Sequence, residues 1–111
     1  MHSFEGDKIE WIKELEERKE RLDCRIADLE RSITNIDWKV SVLQKFKEKI
    51  DEKILRVNHP QLIVERTDME MKRLAKLKGE KREERAQLIL DREFCETLVT
   101  YLRSQPEFLK W

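Results

Sequence analysis

The chain has 111 residues, 43% of them charged, and its 24 basic and 24 acidic side chains cancel. That length bounds a single domain, and the neutral total argues against a generic polyanion binder, which is normally basic overall. Two glycines and two prolines leave little room for loops. Ile, Leu and Val recur at regular spacing, which argues against disorder and for long helices.

No run approaches the roughly 18 apolar residues of a membrane span, and no signal-peptide pattern opens the chain. Cys24 and Cys95 lack metal-type spacing and give no disulfide framework. A reduced cytoplasmic setting is expected, with the nucleus equally compatible. The apolar end Phe108-Leu109-Lys110-Trp111 stops abruptly, as a fragment of a longer protein would. The expected organisation is one coiled-coil domain over residues 1–111.

The first helix is expected over about residues 7–57. Asp7 with Glu10 makes a capping box, and the ordered pairs Glu14/Arg18 and Glu17/Arg21 each add a few tenths of a kcal/mol. From residue 12 to 57 a heptad seam runs without a slip. Its core positions are Ile12, Leu15, Lys19, Leu22, Ile26, Leu29, Ile33, Ile36, Val40, Leu43, Lys47, Ile50, Ile54 and Val57. Glu16, Asp23, Glu30, Asp37, Gln44 and Asp51 form an acidic flank. Arg18, Arg25, Ser32, Lys39, Phe46 and Lys53 form a largely basic one. Such a seam has to bury itself against another helix.

Asn58-His59-Pro60 is the strong break, because proline resists a helix interior and pushes its predecessor from the α region. His59 is placed for capping rather than for holding a metal. A second helix follows over about residues 61–103. Its seam reads Ile63, Thr67, Glu70, Leu74, Leu77, Lys81, Glu84, Leu88, Asp91, Cys95, Leu98 and Leu102. It is less regular, and Gly79 costs roughly 1 kcal/mol in a helix interior, which marks it as the candidate position for a kink or weak spot.

Two partners compete for the first seam. β-Branched residues at a and Leu at d favour an extended parallel dimer. Pairing the same seam antiparallel with itself would set like charges together. An antiparallel hairpin uses the second helix instead, which a short tether holds at high effective concentration. Its layers include Ile54/Ile63, Leu43/Leu74, Leu22/Cys95 and Leu15/Leu102, with Lys47 meeting Glu70. On the acidic flank Asp23 meets Arg92, Glu30 meets Arg85 and Asp37 meets Lys78. On the other flank Lys39 meets Glu80 and Trp11 meets Phe108. The hairpin is preferred. It leaves Ile26 opposite Asp91, Ile33 opposite Glu84 and Ile36 opposite Lys81, so a second chain is expected over that region.

Trp38 and Cys24 lie opposite the seam. Trp38 suggests a second contact surface, against the plainer reading of a scattered exposed apolar residue. Leu88, Phe94, Leu98 and Leu102 belong to a segment apolar over a wider face than a two-helix seam needs. The expected oligomer or partner interface is therefore Ile26, Ile33, Ile36, Trp38, Leu88, Phe94, Leu98 and Leu102. Lys19 and Lys47 can set register, or simply lay their stems along the seam.

The charge-dense stretch from Lys76 to Arg85 reads as a solvated face rather than a nucleic-acid site. No catalytic, cofactor-binding or metal-binding motif is present. The expected function is a non-catalytic coiled-coil assembly or scaffold module in a cytoskeletal or similar complex. Its partner would be itself or another helical protein, with no nucleic acid and no membrane insertion. The alternative is a regulatory helical-hairpin binding module, such as a small-GTPase effector domain.

Overall fold

The structure, a computed structural model, describes residues 4–105. The terminal apolar run and the expected Trp11/Phe108 contact lie outside the described residues. Two helices account for the fold: α1 (Glu5–Asp51) and α2 (Pro60–Ser104), with no strand among the described residues. Neither is long and apolar enough to cross a membrane.

Helix α1 starts earlier than the capping box implies. The Phe4 carbonyl accepts the first helical hydrogen bond, from the Lys8 amide at 2.9 Å. Asp7 therefore lies inside the first turn, where its charge complements the helix dipole. At the start of α2 the His59 carbonyl accepts from the Ile63 amide at 3.0 Å. Pro60 is thus the first helical residue, where its missing N–H is no loss.

The end of α1 corrects the expected boundary at residue 57: the helix stops at Asp51. The Lys53 amide bonds the Ile50 carbonyl, and the Ile54 amide reaches back to Lys49, both at 3.0 Å. Lys53 itself has a φ of 60°. This is a Schellman end, in which a left-handed residue turns the chain so that the last carbonyls find donors. Glycine usually fills that position, and its absence is why the seam pattern appeared to continue. Ile54 consequently leaves the seam and is 64% exposed, so the expected Ile54/Ile63 layer does not form. Lys53→Gly should stabilise the fold by about 1 kcal/mol, since a left-handed L-residue costs about that much. Chemical denaturation should show a higher midpoint at unchanged slope.

The chain divides into two compact units. Unit 1 joins Met1–Asp28 to Arg85–Trp111. Its core is Leu15, Cys95, Val99 and Leu102, with Ile12, Leu22 and Leu98 packed against it. Polar contacts fix the register around that core. Lys8 Nζ donates to the Gln105 carbonyl at 2.9 Å, and Arg103 to Glu16 at 2.6 Å. Lys19 meets Glu96 at 3.5 Å, and Arg92 donates to Asp23 at 3.2 Å. Partners descend along α2 as they ascend along α1.

Unit 2 comprises residues Leu29–Glu84. Leu29, Ile36, Ile50, Thr67 and Leu74 are its buried residues. Burying each large aliphatic side chain contributes about 1.5–3 kcal/mol. The Thr67 hydroxyl avoids an unpaired burial by donating to the Ile63 carbonyl one turn back, at 2.8 Å. Lys78 meets Asp37 at 2.6 Å and Lys47 meets Asp68 at 3.0 Å. The order is again descending on α2.

Helix α2 runs through Gly79 without interruption. Nothing lies within 4 Å of where a Cβ would stand there. Gly79→Ala should therefore gain about 1 kcal/mol from helix propensity alone. The melting temperature should rise by about 4–8 °C, the shift expected per kcal/mol for a domain of this size.

Candidate interaction surface

The seam residues of α1 from Ile12 to Ile50 are all buried or half-buried, including Lys19 and Lys47. Their long stems allow this: the methylenes lie along apolar surface while the ammonium reaches a carboxylate at the rim. The Asp23–Arg92 and Asp37–Lys78 pairs are those expected from the sorted flanks. Exposed pairs of this kind are each worth well under 1 kcal/mol, so they fix register more than they stabilise.

Lys47 corrects one expectation, since it pairs with Asp68 and not with Glu70. Glu70 is instead held by Arg73 on its own helix, through hydrogen bonds from Arg73 Nε at 3.2 Å. That hydrogen bond, with the nearby charges of Arg73 and Lys39, lowers the Glu70 carboxyl below its ordinary value. Glu70 in turn raises the Arg73 guanidinium. A partner one turn away on the same helix needs no loop or second element to position it, so it wins over the cross-helix lysine.

The expected interface residues separate into two sets. Ile26 and Ile36 are 4% and 3% exposed within the single chain, which corrects the idea that α2 leaves them incompletely covered. Of the residues expected to face the three isoleucines poorly, Lys81 opposite Ile36 and Glu84 opposite Ile33 are half-buried, whereas Asp91 opposite Ile26 is exposed. Long side chains such as Lys81 and Glu84 can shield apolar neighbours even though their ends are charged. Ile33 and Leu88 are half-buried. Leu102 is buried and Leu98 packs on it, both within the core of unit 1.

Trp38 and Phe94 form the other set, at 63% and 56% exposed. Each has apolar company on its own helix face. Val42 follows Trp38 by one turn, and Leu90 precedes Phe94 by one turn; both are exposed. Ile9, Leu62 and Met69 are exposed as well, and the seam pattern did not single them out. They lie off the seam, so only a scan of the outward positions would have found them.

Unit 1 also carries an apolar groove of about 390 Å³. Phe4, Trp11, Leu98, Tyr101 and Leu102 line it, with Asp7 and Lys8 at the edge. A shallower groove on another face, about 440 Å³, is bordered by Ile9, Ile12 and the carboxylates of Glu16, Glu17 and Glu20. Surfaces of this type suit large apolar side chains from another protein, with charges around the rim to orient them.

Cys24 is exposed and Cys95 buried, and both are free thiols. Among the described residues, no group of three or more His, Cys, Asp and Glu is arranged to hold a metal ion. The chain matches no family model, no curated protein and no solved structure.

Proposed function

We propose that this chain is a non-catalytic assembly module: a helical hairpin that oligomerises and joins protein partners in a larger scaffold, cytoskeletal or similar. The observation that carries the reading is the outward placement of Trp38, 63% exposed, on a helix whose seam is already occupied. A helix that has filled one face and still presents indole and valine on the opposite face has a second surface to bury. The descending order of cross-helix contacts within each unit supports an antiparallel arrangement of the two helices. The free cysteines support a reducing, cytoplasmic setting.

Solution mass combined with small-angle scattering tests this. A helix the length of α1 spans about 70 Å at 1.5 Å per residue. A maximum dimension of about 70–80 Å, with a mass above that of one chain, is the expected result. A dimension near 150 Å, about two such helices end to end, would replace the hairpin with an extended parallel dimer. A single-chain mass at every concentration would remove self-assembly.

A further inference from the structure

The outer face of α1 carries a second pattern, distinct from the seam. Glu10, Glu14, Glu17, Arg21, Cys24, Asp28, Arg31, Asn35, Trp38, Val42, Lys45 and Lys49 succeed one another at alternating steps of four and three, and every one is exposed. This stripe keeps the spacing of the seam, so it stays opposite the buried face along the helix. Its charge is divided. In the first half Glu10, Glu14, Glu17 and Asp28 outnumber Arg21, whereas the second half holds Arg31, Lys45 and Lys49 with no acid.

We propose that this face pairs antiparallel with the same face of a second copy, about a two-fold axis passing between Leu29 and Glu30. The inference rests on the assembly reading and names its partner and register. Reversing the stripe and laying it on itself sets Glu10 against Lys49 and Glu14 against Lys45 of the second copy. Arg21 then lies over Trp38, where a guanidinium stacks well on an indole. Glu17 meets Val42, Cys24 meets Asn35, and the acid of Asp28 meets Arg31. Each match occurs twice, because a two-fold interface is isologous. Parallel pairing of the stripe would instead put Glu14 beside Glu14 and Lys45 beside Lys45, which like-charge repulsion disfavours. The seam cannot pair antiparallel with itself for the same reason, so the two faces of α1 are sorted for different partners.

The test uses the full chain, sedimentation analysis and disulfide mapping. Glu14→Lys and Lys45→Glu should each weaken the dimer about tenfold, because each disrupts two symmetric pairs. The double variant should restore it, and added salt should weaken the parent dimer. Asn35→Cys, oxidised with diamide, should yield a covalent dimer whose mapped disulfide joins Cys24 of one copy to the new thiol of the other. The parent chain should not cross-link, since in this register its two Cys24 residues stand about 16 Å apart along the axis. A Cys24–Cys24 bond in the parent chain would overturn the antiparallel register. A dimer indifferent to the charge exchange and giving no Cys24 cross-link overturns this pairing but leaves the assembly reading standing. A chain monomeric at millimolar concentration overturns both. All three substitutions are at exposed positions, and circular dichroism of each variant checks that the helices persist.

Discussion

Leu102→Ala is expected to destabilise the chain by about 2–5 kcal/mol, the range for truncating a buried leucine. Leu102 is 4% exposed and shares its cluster with Leu15, Cys95 and Val99. Two helices provide few neighbours, so the lost side chain removes much of one layer, and the helices can close the gap only by tilting. Stability of a domain this size totals about 5–15 kcal/mol, so the loss is a large share of it. Hydrogen exchange should show the loss concentrated in residues 4–28 and 85–105, the described part of unit 1. Amides of residues 29–84 should be affected less, because their core side chains form a separate set. Equal loss of protection in both units would mean that they unfold as one. The conservative comparison, Leu102→Met, retains volume and should cost less than about 1.5 kcal/mol.

The two thiols should differ in modification rate by about a thousandfold or more. Cys95 is 1% exposed, the least exposed of the buried core residues, whereas Cys24 is exposed on the far face of α1. A buried thiol reacts only when its surroundings open, and an opening free energy of about 4 kcal/mol lowers the rate by that factor. Titration with a thiol reagent should give one fast equivalent at native conditions and a second only as denaturant is added. Cys24→Ser should abolish the fast phase and leave the slow one. Two fast phases would show that the core of unit 1 opens far more readily than its burial implies. Dimerisation through the outer face of α1 should also slow the fast phase, since Cys24 lies within that stripe.

Much of the fold was legible because helical periodicity is a property of the chain alone. The seam from Ile12 to Ile50 needed only its three-and-four spacing, and the flanks already named Asp23–Arg92 and Asp37–Lys78 as partners. The boundary at residue 51 was not legible. A left-handed residue usually announces itself as glycine, and here Lys53 takes that conformation because the returning amides of Lys53 and Ile54 satisfy two carbonyls. The fate of Glu70 was hidden for a similar reason. Seam position favoured Lys47, but Arg73 is nearer along the helix and binds it first.

The sequence by itself determined that there are two long helices, which face of α1 is buried and, for Asp23–Arg92 and Asp37–Lys78, which charges stand beside each other. Those follow from local spacing and from the alternation of apolar and charged side chains. Tertiary structure decided which residues remained outside. Ile26 and Ile36 sit on the seam and were covered; Trp38 sits opposite it and was not. Burial depends on what every neighbouring side chain can reach, including the long stems of nominally polar residues. A pattern that sorts residues only as apolar or polar cannot count that cover, and so it grouped the covered Ile26 and Ile36 with the exposed Trp38 in one expected interface.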